Sequence, residues 1–210
     1  KKFYKFELNE GKEAKWFSLE KLTCLNLTPP IYENIFKIFK NISQISNKKI
    51  NKFEIAFLKL NNLKKKNNRT YFSSNNNFCI NRQNIIIFRE ILKLNKINIG
   101  RICFHKNLND QIQEMLIFHN KKIKIKSHKQ NKSSVSYHIY EGSINIVTYD
   151  KNNKIIKSNK LIKEKNNSHN LEFYRLRPNI YRSIKSLSDY AIFFEIACGP
   201  FKDKDTIWMK

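Results

Sequence analysis

From about Ile99 onward, apolar residues come in short runs separated by Gly, Asn and Lys-Asn breaks. The runs are 112–118, 122–128, 135–140, 143–149, 171–177, 181–187 and 190–197. Runs of that length bounded by turn formers predict β-strands, and many in succession predict a sandwich or barrel. Glu141-Gly142 has the composition of a tight hairpin turn, and so does Asp150 to Asn153. Tyr190-Ala191-Ile192-Phe193-Phe194 is apolar on both alternating faces, which predicts a central strand buried on both sides.

The first part of the chain has a different period. After Thr28-Pro29-Pro30, a helix start with a capping hydroxyl and proline in the first turn, apolar residues recur at Ile31, Ile35, Ile38, Phe39, Ile42 and Ile45. That i, i+3, i+4 stripe predicts an amphipathic helix. Asn81 is placed to cap a second helix carrying Ile85, Ile86, Phe88, Ile91 and Leu92. The expected organisation is a helical appendage over 1–60, a polar linker over 61–77 and a β-rich domain over 78–210.

Composition narrows the function classes. Hydrophobic residues make up 40% of the 210 residues and aromatics 13%, enough for a globular core. No apolar run approaches the roughly 18–20 residues that span a bilayer, so no membrane partner is expected. The formal charge of +24 raises nucleic-acid binding as one reading, because Lys and Arg neutralise phosphates. The cations are mostly Lys, however, and travel with Asn in runs such as Asn61-Asn62-Leu63-Lys64-Lys65-Lys66-Asn67-Asn68 that read as solvated loops. Nucleic acid is therefore not the expected partner. Cys24, Cys79, Cys103 and Cys198 have no C-x-x-C spacing or disulfide framework, so free thiols and a cytoplasmic location are expected.

The segment most informative about chemistry is Ser127-His128-Lys129-Gln130-Asn131-Lys132-Ser133-Ser134-Val135-Ser136-Tyr137-His138-Ile139-Tyr140-Glu141-Gly142. It has the layout of a cupin metal motif: two ligands one residue apart, a third five residues on, and a strand closing on Gly. Other pieces lie around it in order. They are Arg101-Ile102-Cys103-Phe104-His105, Asp110 to Ile117, Phe173-Tyr174-Arg175-Leu176, and Glu195 to Phe201 with Gly199-Pro200-Phe201; Asp205-Thr206 and Trp208 follow. Together they resemble the cupin-fold metalloprotein family of the WbuC type, found in bacterial O-antigen gene clusters. The resemblance implies a mainly β cupin (jelly-roll) barrel at about residues 97–210, preceded by helical N-terminal segments, with a link to surface-polysaccharide biosynthesis. Separately, Glu13 to Leu22 is weakly similar to the C-terminal end of Nudix hydrolases; the Nudix box is absent and no Nudix activity is inferred.

The cupin resemblance implies a divalent transition metal in the barrel mouth, bound by two His, a Glu and a later His. Those positions fall on His128, Gln130, Val135 and Arg182. A neutral amide is a poor ligand, Val135 has no donor atom, and the Arg182 guanidinium stays protonated. A fixed cation beside a divalent ion also costs several kcal/mol, even at an effective dielectric of about 20. No metal or other cofactor is expected; if one binds, it is a divalent transition metal at His128.

His128, Gln130 and Arg182, with Arg101 and His105, would instead form a donor-rich site for a small anionic or sugar-like molecule. Alternatively, Arg182 pairs with Glu114, Glu172 or Glu195 and the barrel is a closed scaffold. Two other classes stay open: a metal-dependent or acid–base cupin enzyme acting on a sugar or nucleotide-sugar, and a basic nucleic-acid-binding protein. No catalytic residue is assigned, and the balance leans away from an enzyme. A homodimer is compatible with the family, although the sequence identifies no interface.

Three details of placement follow from alternation. Val135, Tyr137 and Ile139 share one face and His138 takes the other. His119 at a strand end and His169 in a Lys-Asn loop read as solvated. Ile123 and Ile125 alternate with Lys122, Lys124 and Lys126, so an inward His128 requires a bulge near Ser127.

Overall fold

The computed structural model describes residues 54, 55, 57–59, 61–163 and 170–209, and the chain divides into two compact units, 1–60 and 61–210. Of the first unit, residues 54, 55 and 57–59 are described, and they are helical. The expected helix over 31–45, the Nudix-like segment, Cys24 and His169 lie outside the described residues. The second unit is mainly β, as its short bounded runs predict.

Among its described residues, the second unit has eleven strands and one long helix. They are β1 (Leu63–Asn67), β2 (Thr70–Ser73), α1 (Arg82–Leu94), β3 (Ile99–Cys103), β4 (Ile112–Asn120), β5 (Lys124–Gln130), β6 (Val135–Tyr149), β7 (Ile155–Lys163), β8 (Phe173–Leu176), β9 (Tyr181–Ser186), β10 (Tyr190–Cys198) and β11 (Thr206–Trp208). The strand order is β1-β2-β3-β4-β10-β6-β9-β5-β11, with β7 and β8 also paired to β6. Residues 61–77, expected as a linker, therefore contain the β1–β2 hairpin, whose second strand pairs in parallel with β3. Leu63 of β1 is buried and the next four residues are exposed, so its Lys-rich sequence carries little apolar signal.

β2, α1 and β3 form a βαβ unit, because two parallel neighbours need a crossover between them. Asn81 caps the helix as expected: its side chain accepts from the Asn84 N–H at 2.9 Å. The buried face is Ile85, Ile87, Phe88, Ile91 and Leu92. Ile87 takes the place expected for Ile86. It lies one turn below Ile91, whereas Ile86 falls on the far side of the helix. This face packs on the outer side of the first sheet. Phe88 meets Tyr71 and Phe118 edge-on at ring distances of 4.9 Å in both cases. Gly100 permits the close approach, since a Cβ there would lie 2.4 Å from Leu92 Cδ1.

β6 is the strand that joins the two sheets. The hairpin expected at Glu141-Gly142 does not form; β6 runs unbroken through it for 15 residues. Its first half pairs with β10 and β8, its second with β9 and β7. The change of partners occurs where the pairing with β10 slips between Ile192 and Phe193, and Gly142 follows at φ +76. A side chain at 142 would be strained by that φ and would also meet Ser188 Oγ at 2.4 Å. The turn signal thus marks a bulged bend rather than a chain reversal.

The turn expected after Asp150 is present, with the Asp150 N–H donating to the Lys154 carbonyl at 3.0 Å. It leads into β7, which no apolar run announced.

The inner faces of the two sheets enclose one core: Ile117, Val135, Tyr137, Ile139, Ile144, Ile146, Leu161, Leu176, Ile184, Ala191, Phe193 and Ala197. Ala191, Ile192 and Phe193 of β10 are all buried, the double-sided burial expected of a central strand.

Candidate functional site

A polar cluster interrupts that core. It is built from facing positions of β5, β9, β6 and β10. β5 and β9 pair with Ile125 opposite Ile184 and His128 opposite Arg182. Three steps on one strand thus match two on the other, so β5 carries one extra residue in between. This is the bulge near Ser127 that an inward His128 requires, and the structure contains it. Arg182 also lies opposite buried Thr148 of β6.

Arg182 is 2% exposed, and its Nε donates to the Tyr137 hydroxyl at 2.7 Å. Among the described residues neither Nη has a hydrogen-bond partner, and no carboxylate lies within 4.0 Å. Tyr137 is fully buried and sits opposite Glu195 in the β6–β10 ladder. Its hydroxyl accepts from Arg182, and the Glu195 charge acts on it. Burial and the Glu195 charge push its proton affinity up, with Arg182 opposing. Arg182 and Glu195 therefore both bear on one phenol and are not in direct contact. The direct ion pair expected as one alternative does not form, whether with Glu114, Glu172 or Glu195.

His128 completes the cluster. Its Nδ1 lies 3.0 Å from the Lys126 carbonyl, which can only accept, so Nδ1 carries the proton and neutral Nε2 presents a lone pair. Burial and the Arg182 cation lower its pKa below the ordinary histidine value, against the Lys126 carbonyl and Glu195. Its ring lies 4.9 Å from that of Trp208, which is opposite it on β11 and 56% exposed. Gln130, two residues along the same face, has an enclosed Oε1 with no partner among the described residues.

The remaining expected residues lie elsewhere. Val135 is 1% exposed and packed in the apolar core. Arg101, on β3, has an enclosed Nε with no partner among the described residues. Its charge acts on the Cys103 thiol, which burial lifts to about 12, and not on His128 or Tyr137. His105 is held by the β4 backbone, its Nδ1 3.1 Å from both N and O of Glu114, and packs edge-on against Phe72. Arg101 and His105 are thus not brought to the His128–Arg182 pair.

His138 lies on the face opposite Val135, stacked on Phe173 at 4.1 Å. His119, expected to be solvated, is 1% exposed with neither ring nitrogen bonded among the described residues. Burial alone lowers its pKa to about 4. β4 runs past the expected strand end, and Ile99 and Ala191 flank His119 on both sides.

Tyr137 and Glu195 are the site residues that sequence reasoning did not assign. The signal for Tyr137 was its alternation with Val135; for Glu195 it was a lone carboxylate in an apolar strand.

The cupin-type metal implied by the family resemblance does not fit these residues. One of the four positions is in the core, another is a buried cation bonded to Tyr137, and a third is an amide. Among the described residues no group of three or more His, Cys, Asp or Glu is arranged to hold a metal ion. What the cluster offers is hydrogen-bonding capacity: two Nη groups, an imidazole lone pair, an amide and a carboxylate, beside an exposed indole. Among the described residues no helix is long and apolar enough to cross a membrane.

No family model and no curated protein matches the chain. Solved structures similar to it include oxalate decarboxylase from Bacillus subtilis at pH 4.6, at 13% identity over 49% of this chain and 25% of that one, TM-score 0.37. CapF bound to 3-isopropenyl-tropolone matches at 13% identity, 53% and 31% coverage and TM-score 0.41. The Schizosaccharomyces pombe Cnp3 cupin domain matches at 10%, 48% and 64% coverage and TM-score 0.38. The chain covers less than two thirds of each of these structures. A likeness at these values carries no residue role to this chain.

Proposed function

We propose that this is a cupin-like protein that binds a small anionic or sugar-like molecule without a metal, at the barrel mouth between His128, Gln130 and Arg182. The observation that supports this reading is Arg182 itself. A buried guanidinium with a single neutral partner among the described residues is costly unless an oxygen-rich group meets its remaining N–H donors. Glu195, opposite Tyr137 in the ladder, offsets part of the charge, which favours a ligand carrying hydroxyls as well as a carboxylate. Gln130 Oε1 supplies an unmet acceptor for such a hydroxyl. Trp208 offers an exposed apolar face for the ring. The family resemblance adds surface-polysaccharide biosynthesis as the setting.

Titration with glucuronate and with glucose tests the reading. Arg182→Gln is expected to weaken glucuronate by about 1–3 kcal/mol, the usual worth of a charge-assisted hydrogen bond. An unchanged affinity removes Arg182 from the site. Stoichiometric iron, nickel or zinc in protein purified without chelators would defeat the metal-free reading.

A further inference from the structure

We infer that the outer face of the second sheet carries a separate site for a small phosphate monoester, in a cavity of about 280 Å³ lined by Lys124, Lys126, Ser127, Tyr149, Asn153 and Ser183. These residues alternate with the inward ones. Ser183 lies between Arg182 and Ile184, Tyr149 follows Thr148, and Lys124 and Lys126 flank Ile125. The cavity therefore lies behind the barrel wall rather than in its mouth.

Three observations point to an anion. First, apart from the apolar Met209, the lining presents ammonium, hydroxyl and amide groups and no carboxylate. Second, Ser127 Oγ is enclosed with no partner among the described residues, and buried Ser183 has its hydroxyl 2.8 Å from the Tyr149 hydroxyl. That pair shares one proton along its own bond, so the other hydroxyl hydrogen is left to donate outward.

The third is the arrangement of lysines beside the cavity. Lys124 faces Lys185 across β5–β9, Lys185 faces Asn145 across β9–β6, and Asn145 faces Lys160 across β6–β7. Like charges directly opposite each other are destabilising in a sheet. Among the described residues none of these lysines, nor Lys126, has a carboxylate within 4.0 Å. A bound dianion would relieve that repulsion.

A phosphate monoester suits the donors better than a carboxylate. Its three terminal oxygens carry nearly two charges at neutral pH and accept from several directions at once, whereas a carboxylate is planar with two oxygens. The cavity leaves room for a ring-sized group beyond the phosphate, at the small end of ligand sites.

Calorimetric titration of the full chain with glucose 6-phosphate, inorganic phosphate and glucose, at a fixed ionic strength of about 150 mM, tests the proposal. Glucose 6-phosphate and phosphate are expected to bind here and glucose is not. The double change Lys124→Gln with Lys126→Gln should weaken glucose 6-phosphate at least about tenfold, and Ser127→Ala about threefold. Arg182→Gln should leave it unchanged. No heat with either phosphate, or equal affinity in the double variant, overturns the site. Loss in Arg182→Gln with retention in the double variant assigns the phosphate to the barrel mouth instead. A DNA oligomer that displaces glucose 6-phosphate and outbinds it makes the lysine row a polyanion surface, which also overturns the proposal. Thermal melts of each variant confirm that it is folded.

Discussion

On the outer side of the first sheet, Tyr71 and Phe118 meet Phe88 of the helix edge-on, and Ile102, Leu116, Ile91 and Leu92 are buried there too. On the inner side, an apolar core holds Tyr137, which accepts a hydrogen bond from buried Arg182 and lies opposite Glu195. β4 contributes to both layers, with Phe118 against the helix and Ile117 in the barrel core, while β2 and β3 serve the first and β6, β9 and β10 the second. The helix layer is governed by shape, where missing volume costs most. The barrel layer is governed by satisfaction, where a missing partner costs most. A layer of the first kind holds the fold together, and one of the second kind suits recognition.

The largest effect is expected in the helix layer. Phe88→Ala should destabilise the second unit by about 3–5 kcal/mol in denaturant titration, since two ring contacts are lost and α1 cannot easily collapse onto the sheet. A loss below about 1 kcal/mol would mean that α1 is peripheral.

The next effect appears with acid. The folded-state pKa of His119 is lowered from 6.5 to about 4, so the unfolded chain binds the extra proton first. Its contribution is fully present above pH 6.5 and is lost as pH falls towards 4, at up to about 1.4 kcal/mol per pH unit. His119→Leu should flatten the acid limb of a stability–pH curve. His105 and His128 are lowered in the same direction and leave a residual slope.

Within the polar layer, Tyr137→Phe strands Arg182 Nε and should cost about 1–3 kcal/mol despite removing a single oxygen. Arg182→Met should change stability least. Among the described residues Arg182 has no carboxylate within 4.0 Å, so the change strands no ion-pair partner, and the relief of a buried charge offsets the lost hydrogen bond to Tyr137. If Arg182→Met is instead as damaging as Phe88→Ala, the two layers do not differ in kind.

How far the chain's residues foretell all this depends on what each element buries. β10 was legible because its apolar residues face two layers. β1 and β7 were not: four of five β1 residues are exposed, and β7 buries Asn159 and Leu161 among lysines. Their strand character comes from neighbours, β2 and β6, and not from their own pattern. The need for a bulge at Ser127 was readable because alternation and an inward His128 conflict. Tyr137 meeting Arg182 was not, since 45 residues separate them and only the ladder registers bring them together. Glu141-Gly142 misled because a bulged bend and a hairpin require the same φ.

The extra residue in β5 has a consequence for descent. Without it, strict alternation from Ile125 would turn Ser127 and Lys129 inward; with it, His128 and Gln130 point in and one more position is left outside. Removing that single codon at Ser127 would keep His128 in its place by ordinary alternation and erase the hydroxyl behind it. Inner and outer surfaces of this strand are thus separately heritable: a one-residue deletion edits one without disturbing the other.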